Sequence, residues 1–402
     1  MIQLSPTSLS VIGQTPSLGC HSCELFASCG GVYEGWNCLS ECCGEPQRCG
    51  MACFRSANMT RVVEDAGGLG IDQRWHLTQA RHILPDYIPH IGHRSGRSKP
   101  LSRLNVALTT YDVLAAGFKS GRHLSTPIEL RDHFKISRRA RVLSLSIAKD
   151  NRLENYWRRE LSRRLPERLA ALGIQFVTTP NYSLPVNAPR TEHLVNIRRS
   201  VVCAERMSIA GLSVIPHLNA MTQTDWNCWR DFLRDHPQIY YVALEFQTGL
   251  RVKRKAVWHL SQLLNLQESL GREIHLVAVG GGRHLCYLAE FPAVTVVDSG
   301  PFIRTLKRRR VDHQNGKWAI SSTAKGEPLH DLLYHNVRVC ARTVSANLRH
   351  HRERNLNLLS NAANVGGPSP PPQQAIPFND LQLDFDFWPE QRRNPTQFSL
   401  LP

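Results

Sequence analysis

The chain has no run of about 18 consecutive apolar residues, the least a helix needs to cross a bilayer, so no membrane span and no membrane partner are expected. Residues 1–19 lack both the basic leading segment and the long apolar stretch of a secretory signal, and a cytoplasmic location is the resulting expectation. Acidic residues are scarce: 33 Asp and Glu stand against 49 Lys and Arg, which leaves a net charge of +16. An excess of this size favours a polyanionic partner, because basic side chains release the counterions condensed on a nucleic acid. The basic residues are also clustered, at Arg158 and Arg159, Arg163 and Arg164, Arg198 and Arg199, and from Lys307 to Arg310. That clustering favours nucleic acid over an evenly solvated basic surface, without separating DNA from RNA.

What is present is an uneven distribution of thiols. Eight of the 12 cysteines fall within residues 20–53, namely Cys20, Cys23, Cys29, Cys38, Cys42, Cys43, Cys49 and Cys53. Without a secretory signal, such density points to metal before disulfides. The x2 spacing of Cys20 and Cys23 lets two thiolates turn back on one centre, as tetrahedral zinc and iron–sulfur sites both require. Gly30, Gly31, Gly35, Gly44 and Gly50 allow the backbone to wrap tightly. His21 is the one imidazole inside the cluster, and a closed all-thiolate site leaves no position for substrate, so a structural role is expected. Residues 20–31 (CHSCELFASCGG) resemble the C-x2-C-x5-C half of the auxiliary iron–sulfur domains of some radical enzymes. An iron–sulfur cluster is favoured over zinc, although the C-x3-C-x2-C motif of the radical enzymes themselves is absent.

The length of 402 residues suffices for two or three domains, and the 42% hydrophobic content is that of an ordinary globular protein. The organisation expected is a disordered leader (1–19), a Cys-rich metal module (20–55), a connector (56–103), a parallel (β/α) barrel-like domain (104–325), a basic helical segment (326–360) and a disordered tail (361–402). Short β-branched or apolar runs at 104–110, 141–148, 174–179, 212–216, 240–246, 274–279 and 294–297 alternate with helical patterns at 153–172, 191–210, 225–234, 253–270 and 284–291. Strand and helix in alternation imply a parallel sheet, closed or open. In the 153–172 pattern, Leu161, Leu165, Leu169 and Leu172 fall on one side of a single amphipathic helix. Gly173 and Gly211 read as helix C-caps, and residues 87–97 (YIPHIGHRSGR) read as an exposed loop. The tail opens on a Pro-rich stretch, and its acidic-aromatic segment 378–388 (FNDLQLDFDFW) suits either a protein partner or the basic body of the same chain.

The closed form is favoured because the strand ends are polar, and parallel barrels carry their chemistry at the C-terminal ends of the strands. Those ends hold Asp150, Asn181, His217 and Asn219, then Glu245, then Gly280-Gly281-Gly282-Arg283, then Asp298. Glycines followed by an arginine at a helix start suit an anion such as phosphate, where backbone N–H groups and a guanidinium converge. Asp298 ends an apolar strand, where a carboxylate can serve as nucleophile or general base, and Glu245 is the natural second carboxylate. Arg304, Lys307, Arg308, Arg309 and Arg310 would hold phosphate. Polar loops and helix caps explain any one of these residues equally well, with Asp225 and Ser299 as examples of caps.

Residues 176–183 (FVTTPNYS), the following helix with Asn196 and Arg199, and residues 211–216 (GLSVIP) resemble the phage and mobile-element family called domain of unknown function 4417, over roughly residues 140–300. A more distant resemblance is to the tRNA-guanine transglycosylase superfamily, carried by residues 274–282 (IHLVAVGGG), 293–298 and 299–302 (SGPF). It implies a barrel and a nucleophilic aspartate at Asp298. The superfamily's early DSGGF-type motif and its C-terminal C-x-C-x2-C zinc site are absent. The expectation is therefore a barrel protein acting on a nucleic acid or nucleotide, with base modification as one form. The alternative is a non-enzymatic, metal-containing nucleic-acid-binding protein of a phage, mobile element or defence locus.

Overall fold

The structure is a computed structural model that describes residues 49–364, except 54–55, 72, 82, 93–95, 104, 117–122, 149, 186–187, 249, 251, 315–316 and 324–325. The expected leader, Cys20, Cys23, Cys29, Cys38, Cys42 and Cys43, and residues 365–402 of the expected tail lie outside the described residues. Two four-stranded parallel sheets, one antiparallel hairpin and eleven α-helices make up the described fold. The strands are β1 (Tyr87–Pro89), β2 (Asn105–Thr109), β3 (Arg141–Leu145), β4 (Phe176–Thr178), β5 (Ser213–Ile215), β6 (Tyr241–Glu245), β7 (His275–Val279) and β8 (Ala293–Asp298). Their order is β2-β3-β4-β5 in one sheet and β1-β8-β7-β6 in the other. Each of the seven expected strand segments coincides with one strand, β2 to β8, with β8 extending one residue beyond its expected segment at either end.

The eighth strand was not expected. β1 lies in the segment read as an exposed loop, yet Ile88 and Ile91 are fully buried and β1 pairs with β8 through Tyr87↔Val296, Ile88↔Val297 and Pro89↔Asp298. Pro89 is tolerated because it ends the strand, where its missing N–H breaks no ladder. Single bridges join the sheet edges, His90↔Ala107 between β1 and β2 and His217↔Ala243 between β5 and β6. At the other end of the β5–β6 gap, Gln79 inserts its side-chain amide. Its Nε2 donates to the Val214 carbonyl at 2.6 Å and the Tyr241 carbonyl at 2.9 Å, and its Oε1 accepts from the Tyr240 and Tyr241 N–H groups, both at 2.6 Å. The segment expected to be a connector thus supplies a strand and the link between two others.

Apolar burial falls on both faces of the strands, as parallel sheets require. One compact cluster takes Ile88, Ala107, Leu143 and Leu145, Phe176, Ile215, Tyr241 and Ala243, Val277 and Val279, and Val297, drawing on all eight strands. The intervening residues, such as Val106, Val142, Val177, Val214, Val242, Leu276 and Val296, join a larger cluster with the helices. We call the first the inner face and the second the helix face.

The helices are α1 (Met59–Ala66), α2 (Thr110–Ala115), α3 (Pro127–Phe134), α4 (Asp150–Arg159), α5 (Leu165–Ala171), α6 (Arg190–Ile209), α7 (Gln223–Asp235), α8 (Lys253–Leu270), α9 (Leu285–Leu288), α10 (Gly300–Leu306) and α11 (Leu329–Asn364). The single helix expected over 153–172 is two, α4 and α5. Pro166, which occupies the first turn of α5, has no N–H to continue a helix, and Arg164 turns left-handed at φ 48°. Leu161, expected inward, lies in the break and is 66% exposed. Gly173 and Gly211 do take the positive φ of C-terminal caps, 67° and 86°. α11 runs to Asn364, four residues into the stretch expected to be tail. Between α10 and α11, β9 (Arg309–Gln314) and β10 (Lys317–Ser322) form the hairpin. Among the described residues, no helix is long and apolar enough to cross a membrane.

Candidate functional site

Side chains alternate between strand faces, so each polar residue at a strand end can be assigned a face from its neighbours. Glu245 follows Tyr241 and Ala243 at steps of two and shares the inner face with them. His217 bridges Ala243 in parallel register, which puts it on the same face one strand away. His90 pairs with Ala107, and Thr109 follows Ala107 by two; their side chains meet at 3.0 Å between Nε2 and Oγ1. Thr178, two beyond Phe176, is buried and accepts from the Ser146 N–H at 2.8 Å. The inner face therefore changes from apolar to polar at its C-terminal edge.

Glu245 is 6% exposed. One carboxylate oxygen accepts from the Gln247 N–H and the other from the Thr248 hydroxyl at 2.8 Å. Burial raises its pKa above the usual carboxylate range, and those hydrogen bonds oppose the rise. His217 is 3% exposed, and neither ring nitrogen meets a partner at hydrogen-bonding geometry. Burial pushes its pKa down to about 4, opposed by the Asn219 side chain, which lies close by but short of full hydrogen-bonding geometry. His90 is also held at about 4 by burial, against a weaker upward pull from Asp112.

Asp298 does not join this group. Val294 and Val296, four and two residues before it, pack on the helix face, so Asp298 points toward the helices. There the Tyr87 hydroxyl donates to Oδ2 at 3.2 Å and the Gly300 N–H donates to Oδ1 at 2.7 Å. Burial raises its pKa, with Gly300, Arg304 and Tyr87 acting in the opposite direction. Asp298 also does what was expected of Ser299: Ser299 occupies the N-cap of α10 but makes no side-chain cap. The expected pairing of Asp298 with Glu245 is thus corrected, because the two carboxylates leave their strands on opposite faces.

The other expected rim residues hold loops in place. Asp150 accepts from the Ser183 hydroxyl at 2.6 Å, Asn181 from the Ala148 N–H at 3.1 Å, and Asn219 donates to the Tyr182 carbonyl at 2.7 Å. Asp225 is a cap, completing a capping box with Thr222, and it also forms a buried ion pair with Arg190. Gly280, Gly281 and Gly282 form the turn after β7. Gly280 has φ 78°, and a Cβ on Gly281 would come within 2.9 Å of Leu288 and 3.0 Å of Ala278. The turn enters a four-residue 3-10 segment, too short to present a row of free N–H groups, on which Arg283 is exposed.

The basic clusters divide in the same way. Arg158, Arg159, Arg163 and Arg164 are exposed, as a polyanion would need. Arg198 and Arg199 are buried instead. Arg198 donates to the Ala66 carbonyl at 2.8 Å and lies over Trp75; Arg199 makes a two-pronged pair with Glu154, both contacts at 2.9 Å, and stacks 4.1 Å from the Tyr182 ring centroid. Within Lys307 to Arg310, Arg308 donates to the Glu327 carbonyl at 2.5 Å and Arg310 reaches Glu327 and His335 at 3.4 and 3.0 Å, while Arg309 is exposed. Arg304 flanks Gly300 beside Asp298.

Cys49 and Cys53 are the described members of the thiol cluster, and both are free. Their loop is held by Ser56 and Asn58, which donate to the Cys49 carbonyl at 2.7 and 3.2 Å. Ala52 between them docks on the first turn of α6, its N–H donating to Glu192 at 2.7 Å and its carbonyl accepting from Thr191. Because α6 runs back from the end of β4 to the start of β5, this turn lies on the side of the C-terminal strand ends. Among the described residues, no three His, Cys, Asp or Glu side chains converge as a metal site.

The inner-face histidine His90 escaped sequence reasoning because it sits in the segment read as loop. The signal was there in the run Tyr87-Ile88-Pro89-His90-Ile91, but its proline and the glycines after it argued against a strand. No family model matches this chain, and no curated protein matches it.

Proposed function

We propose that the eight parallel strands close into a (β/α)8 barrel, and that its C-terminal mouth is the active site of an enzyme acting on a nucleotide or nucleic acid. The bridges at both sheet edges and an inner cluster fed by every strand support closure. The observation that carries the site is His217. A buried polar group without a partner costs about 1–3 kcal/mol, and a fold retains that cost where a ligand supplies the missing partner. His217 bears two such atoms beside Glu245, at the edge where barrel enzymes work. Glu245, protonated more readily than an exposed carboxylate, serves as the proton donor, and neutral His217 accepts or donates to the substrate.

The exposed arginines of α4 and the turn before α5 supply the attraction for a polyanion. Cys49 and Cys53, free and separated by three residues on a pinned loop, suit half of a four-thiolate centre, either iron–sulfur or zinc, completed by cysteines outside the described residues. Such a centre would brace the loop on α6 and take no part in the chemistry. Asp298 is assigned a structural role, which departs from the transglycosylase-like expectation.

The test is incubation of the protein with single- and double-stranded DNA and RNA and with free nucleotides, products being read by mass spectrometry. Glu245→Gln abolishes turnover while retaining oligonucleotide binding, and Asp298→Asn retains turnover if the fold survives. Binding that falls steeply with salt, with no product from any substrate, would favour the non-enzymatic reading, for which the exposed arginine cluster is the supporting observation.

A further inference from the structure

The β9–β10 hairpin stands outside both parallel sheets. β9 lies against α11, where His335 Nε2 meets the Val311 carbonyl and Asp312 at 3.0 Å, and Asn336 accepts from the Val311 N–H at 2.9 Å. β10 pairs only with β9 among the described residues, so its other edge presents a row of unpaired backbone groups. The register places Trp318 and Ile320 on one face of β10, opposite His313 and Val311, and Lys317, Ala319 and Ser321 on the other, opposite Gln314, Asp312 and Arg310, with Asp312 already engaged by His335. Ile320 is 46% exposed although its cross-strand partner Val311 is fully buried. Five basic residues stand against one acidic residue in 307–322.

Another part of the chain has the complementary pattern. Residues 380–387 read Asp-Leu-Gln-Leu-Asp-Phe-Asp-Phe, a strict two-residue alternation with Leu381, Leu383, Phe385 and Phe387 on one side and Asp380, Gln382, Asp384 and Asp386 on the other. Alternation of this kind is the sequence mark of a half-buried strand. The geometry points to residues 380–387 as the occupant of the free β10 edge, added as a third strand of the hairpin. Its apolar side extends the Trp318–Ile320 face and covers Ile320. Its three aspartates then fall on the Lys317–Arg310 face.

The tether permits this. From His335 to Asn364 the chain travels about 44 Å along α11 at 1.5 Å per residue. The 15 residues 365–379 span up to about 50 Å when extended, enough to return. A two-stranded hairpin is marginal by itself, and a third strand with an apolar face supplies what it lacks. This inference is independent of the reading of the strand-end site.

Hydrogen exchange read by mass spectrometry on the whole chain provides the test. Amides of residues 317–322 exchange at least tenfold more slowly in the unaltered protein than in Leu383→Asp/Phe385→Asp. From the other side, Ile320→Lys accelerates exchange in residues 380–387. Equal rates in all three proteins would overturn the inference. So would protection of 317–322 that grows with protein concentration, which would assign the edge to a second copy. Protection appearing only on addition of a mixed-sequence RNA 20-mer would assign it to nucleic acid and overturn it equally.

Discussion

His217→Leu separates a ligand-binding histidine from a merely tolerated one. The side chain is 3% exposed with both ring nitrogens unpartnered, so an apolar replacement of similar bulk removes a desolvation cost of about 1–3 kcal/mol. At pH 7 the variant is more stable than the parent by an amount in that range. Acidification widens the gap. Burial sets the native pKa at about 4 against 6.5 for the free side chain, so the unfolded chain takes up a proton first as pH falls. The native state then loses stability from pH 6.5 downward, levelling off below pH 4. With a pKa unit worth about 1.4 kcal/mol, this residue alone costs about 2 kcal/mol between pH 7 and pH 5. His90, His193, His259 and His275 have the same depressed value and contribute to the acid sensitivity of both proteins, so only the difference between parent and variant isolates His217. Urea unfolding at pH 7 and pH 5 measures it, with unchanged m-values confirming that the same surface unfolds. The same variant loses turnover. A variant less stable than the parent at pH 7, or one with the same loss on going to pH 5, would refute the assignment of His217 as a buried, neutral and unsatisfied group.

Arg190→Ala strands the Asp225 carboxylate in the interior and costs about 3–5 kcal/mol in urea unfolding, whereas replacing both partners with apolar residues recovers most of that loss. Gly281→Ala destabilises by about 1–3 kcal/mol because its Cβ meets Leu288 and Ala278, while Gly282→Ala, with nothing within 4 Å of the added carbon, leaves oligonucleotide binding unchanged. Replacing Arg158, Arg159, Arg163 and Arg164 together with alanine lowers the slope of log K against log salt by about 3, as four lost phosphate contacts require; Arg199→Ala lowers stability instead. Cys49→Ser and Cys53→Ser each reduce the metal content found by elemental analysis after anaerobic purification, and the visible absorption of the parent separates an iron–sulfur cluster from zinc.

The strand–helix alternation was legible because parallel strands buried on two faces leave concentrated apolar runs, such as residues 274–279, between long amphipathic stretches such as α8. β1 was not legible. Three residues long and ending in proline, it owes its strand character to pairing with β8, more than 200 residues later, and no local propensity reports such pairing. The helix over 153–172 failed for the opposite reason: leucine spacing continued through a position where Pro166 had already ended the backbone pattern. Arg198 and Arg199 look like any surface pair in sequence. Their burial depends on Glu154, Tyr182 and Trp75, which arrive from three other segments.

The pairing of Glu245 with Asp298 failed on phase, and the failure is instructive about strands of this kind. In a half-exposed strand, hydropathy reveals which residues point inward. β6 and β8 are buried on both faces, so Leu244 and Val296 are as apolar as Ala243 and Val297, and the sequence carries no alternation from which to count. Phase enters only through cross-strand register. The His217↔Ala243 bridge fixes Glu245 on the inner face, and the contact of Tyr87 with Asp298 fixes the other carboxylate among the helices. A one-residue error in phase moves a carboxylate from the inner face to the helix face. That is why the unpartnered imidazole of His217, whose face is set by register and whose cost is set by burial, is a firmer marker of the site than either carboxylate's position at the end of a strand.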